Sequence, residues 1–166
     1  MWGIQIGKVS HWIIKMIYLI SLFVLLFDLL TKHWAINTLT FGVPQPLFPL
    51  FNLTLVANRG ISFSMLTADN RWGVLFLIIA ALVICGFIVY MIQKENDIFS
   101  KIALAMILGG AIGNIWDRIR YGFVIDFLDF YWGKYHFPTF NIADSFICIG
   151  VGLLLLKMMK KEKKNA

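Results

Sequence analysis

The chain has 166 residues, 60% of them hydrophobic and 14% charged, with a formal net charge of +6 and a mean hydropathy of +0.78. Soluble domains carry about 45–50% apolar and about 25% charged residues, so composition excludes an ordinary water-soluble globule and a disordered chain. Two cysteines are too few for a secreted disulfide framework.

A bilayer core of about 30 Å takes about 20 mostly apolar residues in a helix, and four such runs occur. The first covers residues 12–30, with Lys15 near its start and Asp28 near its end. It does not read as a removable signal peptide, because its apolar core is long and no small-residue cleavage site follows. The second, 72–92, has no charge and lies between Arg71 and Lys94. The third, 98–116, is glycine-rich, with Lys101 at one end and Asp117–Arg118 at the other. The fourth, 142–158, is opened by Asp144 and closed by lysines. Cys85 and Cys148 read as small core side chains with no redox role. The expected fold is an all-α membrane protein, a four-helix bundle forming one integral-membrane domain over residues 1–166.

Two segments lie between spans. Residues 33–71 are too many for a plain loop. They begin with FGVPQPLFPLFN, whose three prolines exclude helix. Residues 51–58, FNLTLVAN, then alternate with the period of two that marks a strand. Arg59–Gly60 reads as a turn, and 61–66 as a returning strand. A small extracytoplasmic β-sheet over about residues 41–70 is expected. The other segment, 119–141, is dense in aromatic residues and is expected to lie along the membrane–water boundary.

The lysines set orientation. Lys8 and Lys15 flank the first span, Lys94 and Lys101 the loop between the second and third, and Lys157, Lys160, Lys161, Lys163 and Lys164 follow the fourth. Four spans put these groups on one side, and the positive-inside rule makes it cytoplasmic. Both termini are then cytoplasmic. The basic charge reports topology, and no nucleic-acid partner is expected.

Ionisable residues near hydrocarbon are costly and mark function by default. Here they gather at the outer ends of spans: Asp28 and Lys32, then Asn114, Asp117 and Arg118, then Asp126, then Asn141 and Asp144. Asp28 and Lys32 stand i,i+4, suited to a boundary ion pair. Asp117 is placed to hold a backbone amide or an arginine, and Arg118 to grip a substrate carbonyl or a lipid phosphate. Asp126 and Asp144 are surrounded by apolar residues, with no lysine or arginine within four positions. Asp144 also suits the first turn of a helix as a cap, and Asp129 is a third acid that reads equally as a solvated loop residue. Two carboxyls meeting at a partly dry boundary share a proton, which makes one a general base and the other a general acid. That pairing serves water-mediated peptide cleavage without a metal.

Other chemistries lack residues. The three histidines are scattered and no HExxH occurs. No GxSxG appears, and Lys32 with Ser62 or Ser64 makes a weak serine–lysine pair. Gly109 and Gly113 have the GxxxG spacing of close helix packing. A small ion-coupled transporter or channel subunit is the rival reading, but it calls for acids near mid-span.

Five stretches, in order, resemble the lipoprotein signal peptidases, or signal peptidase II, of bacterial membranes: DLLTK (28–32), NRGISFSML (58–66), GGAIGNIWDR (109–118), GFVIDF (122–127) and FPTFNIADS (137–145). The resemblance implies an aspartic endopeptidase of the bacterial inner membrane that removes signal peptides from diacylglyceryl-modified prolipoproteins. It cuts N-terminal to the lipidated cysteine. The family's catalytic aspartates fall on Asp126 and Asp144. Its supporting positions fall on Asp28, Lys32, Asn58, Gly60, Asn114, Asp117, Arg118 and Asn141. The resemblance further implies an active site at the extracytoplasmic face, a β-cradle, an interfacial helix, membrane lipids as surroundings and inhibition by the peptide antibiotic globomycin. No metal or other cofactor is expected. Two departures stand out: Leu29 replaces the usual Gln, and Ser62 replaces the usual Ala.

Overall fold

The computed structural model describes residues 11–60 and 71–165. Four long helices, α1 (His11–Thr38), α2 (Arg71–Lys94), α3 (Ile98–Tyr121) and α4 (Ile142–Asn165), are joined at one end by strands β1 (Gln45–Phe48), β2 (Phe51–Asn58), β3 (Val124–Trp132) and β4 (Tyr135–His136). Each helix contains a stretch long and apolar enough to cross a bilayer. Their outer faces carry exposed large side chains such as Phe23, Phe76, Phe87 and Leu155, as helices bathed in lipid do. The expected returning strand at 61–66, with Ser62 and Ser64, lies outside the described residues.

α3 is the central helix, packed on each of the other three. Small residues let it approach closely. A Cβ on Gly109 would stand 2.5 Å from the Ser21 carbonyl oxygen of α1, and one on Gly113 would stand 2.5 Å from Asp28 Oδ2. The GxxxG face therefore seats α1, and the hydroxyl of Ser21 donates to the Ala105 carbonyl across the same contact at 2.9 Å. α3 begins at Asp97, whose carboxylate accepts from the Ser100 amide at 2.8 Å. It ends at Gly122, which takes the left-handed conformation (φ 79°) and donates to the Arg118 carbonyl.

The sheet is open and antiparallel, in the order β1-β2-β3-β4. β1 is an edge strand, which is where Pro46 is tolerated. The alternation over 51–58 does mark a strand, which pairs with β1 on one side and, on the other, with β3 from the aromatic segment expected to lie along the boundary. An aromatic row crosses the pairing: Phe48 on Phe51 (4.9 Å between ring centroids), Phe51 on Phe130 (4.6 Å) and Phe130 on Phe140 (5.9 Å).

Three side chains sit differently from expectation. Cys85 is buried, whereas Cys148 is exposed on the surface of α4, so only one is a core side chain. Lys101 does flank the loop between α2 and α3, but as a buried side chain, 1% exposed. Asp129 is buried on β3 rather than solvated. Its carboxylate accepts from Thr54 Oγ1 at 2.8 Å and lies 2.7 Å from His136 Nδ1. Burial opposes its ionisation, but hydrogen bonds from His136, Thr54 and Asn52 prevail and hold the carboxyl below its ordinary range.

Candidate active site

Asp28 and Lys32 lie within α1, which runs on to Thr38 beyond the end expected from its apolar run. Lys32 is 2% exposed. Its ammonium has three protons to donate and meets three acceptors: Asp28 Oδ2 at 2.7 Å, Asp117 Oδ2 at 2.8 Å and Asn114 Oδ1 at 3.0 Å. The i,i+4 pair is thus one side of a buried cluster. Asp117 also accepts from the Ile125 amide at 3.1 Å, the backbone-amide role among those open to it, and thereby holds the start of β3 against α3. Asp28 Oδ1 accepts from the Ala143 amide at 2.9 Å, placing a carboxylate at the N-terminus of α4. One buried cation therefore ties together α1, α3, α4 and β3.

The next layer reads the same atoms outward. Asn114 accepts from Lys32 and donates through Nδ2 to Asp144 Oδ1 at 2.7 Å. Its side-chain oxygen also accepts from Asn141 Nδ2 at 3.1 Å. Both ends of the amide are engaged, so Asn114 positions Asp144. Asn141 is the residue before α4. Its Oδ1 accepts from the Asp144 amide at 2.9 Å, and Asp144 Oδ2 lies 3.4 Å from the Asn141 amide. This is a reciprocal helix cap, so the capping role foreseen for Asp144 is real and leaves Oδ1 facing Asn114.

Asn141 also joins the two acids. Its Nδ2 donates to Asp126 Oδ1 at 2.7 Å, while its backbone amide faces Asp144. The stretch leading to it is pinned to β3, because Phe140 accepts from the Phe127 and Leu128 amides and donates back to Leu128. That pinning sets Asn141 beside Asp126. On the other side, Asn58 Nδ2 donates to Asp126 Oδ2 at 2.9 Å. Gly60 fixes the orientation of Asn58 by donating its amide to Asn58 Oδ1 at 3.1 Å.

Asp126 is 1% exposed. Burial pushes its carboxyl up to about 7, the nearby Asp144 charge adds to the rise, and the hydrogen bonds from Asn58 and Asn141 pull the other way. Near neutral pH this carboxyl stands at the balance point between acid and base. Arg118 is half-buried, donates to the Asn114 carbonyl at 3.3 Å, and faces the charges of Asp144, Asp126 and Asp117.

All ten residues singled out in the sequence thus fall in one connected region. The sequence reading did not foresee that Lys32 would hold Asp117 as well as Asp28, or that Asn141 would touch both outlying acids. The i,i+4 spacing of Asp28 and Lys32 and the first-turn position of Asp144 were the local signals for this cluster; the contacts that join its elements, Lys32 to Asp117, Asn114 to Asp144 and Asn141 to Asp126, lie 15 or more positions apart.

A four-span bundle that gathers two carboxyls and an arginine beneath a small sheet has the makings of a hydrolase working at the membrane boundary. Comparison with known proteins agrees. The profile of the family Signal peptidase (SPase) II matches residues 20–160. A lipoprotein signal peptidase of Haemophilus influenzae is 46% identical over 140 residues, covering 83% of this chain and 82% of that protein. One from Actinobacillus succinogenes is 42% identical over 141 residues, covering 84% and 86%. A bacterial membrane enzyme solved by the in meso method at 2.3 Å superposes with a TM-score of 0.81 at 32% identity, covering 92% of each chain. A second, solved at 1.9 Å, gives 0.78 at 33% identity, covering 88% of this chain and 94% of the other. The chain belongs to the signal peptidase II family, and it is a peptidase with four membrane-spanning helices.

Proposed function

We propose that this protein removes signal peptides from prolipoproteins by aspartic catalysis, with Asp126 and Asp144 as the catalytic pair. It cuts N-terminal to a diacylglyceryl-modified cysteine, at the extracytoplasmic face of the bacterial inner membrane, with both termini in the cytoplasm. The observation that carries the reading is Asn141, whose side chain bonds Asp126 and whose amide faces Asp144. Two acids remote in sequence share one neighbour, and one of them titrates at about 7. The orientation rests on the lysines, since Lys94 and Lys157 belong to the end of the bundle opposite the sheet.

In this reading the ionised member of the pair takes a proton from water, which attacks the scissile carbonyl. The protonated member hydrogen-bonds that carbonyl and then donates its proton to the leaving amine. Arg118 faces the pair and orients the substrate. Lys32, Asp28 and Asp117 hold the frame and touch no substrate. A site at the boundary lets the substrate's acyl chains stay in hydrocarbon while the peptide bond reaches the carboxyls.

The direct test is processing by the purified protein in a bilayer, with lipidated and unlipidated precursor side by side. Only the lipidated precursor should be cut. Equal turnover of the two would overturn the substrate assignment.

The pH profile supplies a second test. Activity needs one proton on the pair, so its alkaline limb should fall near the Asp126 value of about 7. Asn58 stabilises the ionised carboxylate, so Asn58→Ala should move that limb upward. A hydrogen bond to a charged group contributes about 1.5 kcal/mol or more, which corresponds to about one pH unit. A limb that stays in place or moves down in pH–rate profiles would exclude this role for Asn58.

A further inference from the structure

At the end of the bundle opposite the sheet, between the start of α3 and the last turns of α4, lies a cavity of about 430 Å³. Its rim is basic. Lys157 and Lys160 line it and stand three positions apart, so they share one face of α4. Lys157 is held in place, because its ammonium donates to Asp97 Oδ2 at 2.8 Å and to Ser100 Oγ. An ammonium has three protons, and these bonds leave one for a ligand. Lys160 appears in none of the ion pairs formed among the described residues. Asp97 is the one acid among the described lining residues. Its charge is committed, since the oxygen that meets Lys157 also accepts from the Ser100 amide at 2.8 Å. Glu95, in the same loop, is turned to the amides of Asn96 and Asp97. Residues 1–10 and 163–166 add lysines to the sequence and no aspartate or glutamate.

The wall of the cavity is of the opposite character. Phe99 of α3 and Leu153 and Leu156 of α4 line it, and Phe99 and Leu156 are 46% and 55% exposed. They continue the lipid-facing surface of the two helices into the cavity. We propose that this cavity binds an anionic glycerophospholipid, with its phosphodiester on Lys157 and Lys160 and its acyl chains along Phe99, Leu153 and Leu156. Basic pockets between membrane helices suit such headgroups, and the apolar wall matches the chains. A free phosphate would satisfy the lysines and leave the wall unused. A zwitterionic lipid would use the wall but bring a further cation to the two lysines. The lipid seats against the clasp of Lys157 on Asp97 and Ser100, which ties α4 to the start of α3. On the orientation proposed above it belongs to the cytoplasmic leaflet, far from the paired acids.

The test reads binding and stands apart from whether the protein cuts lipoproteins. The full-length protein in neutral detergent is titrated with short-chain phosphatidylglycerol, short-chain phosphatidylcholine or glycerol phosphate. Retained ligand is counted by native mass spectrometry. With two lysines engaged, phosphatidylglycerol should bind at least about tenfold more tightly than either alternative. K160Q should lose about fivefold, since a basic residue near an anionic lipid contributes about 1 kcal/mol and tenfold is about 1.4 kcal/mol. L156W fills the cavity and keeps every charge, and it should lose at least as much as K160Q. K134Q, in the turn between β3 and β4 at the sheet end, should keep the wild-type affinity. An unchanged melting temperature shows that each variant is folded, and K160Q, an exposed position, carries the test alone if L156W is not. The proposal is overturned if phosphatidylcholine binds as well as phosphatidylglycerol, or if folded K160Q or L156W keeps full affinity. Equal binding of glycerol phosphate would overturn it in favour of a site for free phosphate. An equal loss in K134Q would overturn it by reducing the effect to general charge.

Discussion

Asp126→Asn and Asp144→Asn should each lower turnover of lipidated precursor about a thousandfold, within the 10²–10⁴ range that positioned acid–base groups supply. Each change keeps the shape of the side chain and removes the group that carries the proton. The surrounding contacts survive in part. An amide oxygen at 126 still accepts from Asn141, and one at 144 still accepts from Asn114, the bonds these carboxylates make at 2.7 Å. The variants should therefore insert and melt close to the wild type, and the loss should appear in kcat. Asp129→Asn is the contrast on the same strand. Its carboxylate is turned to Asn52, Thr54 and His136, so that variant should lose stability while turnover per folded molecule stays at the wild-type level. Near wild-type processing by either Asp126→Asn or Asp144→Asn would end the aspartic assignment.

Lys32→Met should produce the largest loss of stability. The substitution leaves Asp28 and Asp117 buried without their cation and Asn114 Oδ1 with one donor instead of two. Removing one partner from a buried ion cluster costs about 3–5 kcal/mol, a large share of the about 5–15 kcal/mol that holds a domain together. Thermal unfolding in detergent should show a marked drop in melting temperature and a lower yield of folded protein. Adding Asp117→Asn should restore part of the loss by removing one of the stranded charges. Lys32→Arg should restore little, because a planar fork does not reproduce three contacts converging on a single nitrogen. If Lys32→Met melts like the wild type, the cluster is not what joins the helices.

The four helices were legible because apolar runs of this length have few other uses. The strand over 51–58 was legible because it alternates. Its partner was not: β3 reads VIDFLDFYW, and residues 124–127 are buried on both faces, so the period of two that betrays a strand is missing. Its aromatic side chains suggested the membrane boundary instead. α1 runs past the apolar run to Thr38, although Lys32 reads as the end of that run. Only the fold shows that Asp117, from α3, neutralises it. The acids at 126 and 144 stood out by their apolar surroundings, and the family resemblance named them as a pair. What no single sequence carries is the third residue between them. Asn141 looks like a helix cap, and it is one; its second bond, to Asp126, exists only once β3 lies alongside.

That double engagement has a consequence for biogenesis. Asp144 and Asn141 both arrive with α4, the last of these four helices to be made, and the Asp28 carboxylate of α1 waits for the amide of Ala143. A nascent chain halted before that helix holds Asp126 and Arg118 but has neither the second acid nor the asparagine that joins it to the first. On the catalysis proposed above, the protein stays inert during insertion and acquires the power to cut only when α4 has met α1 and β3.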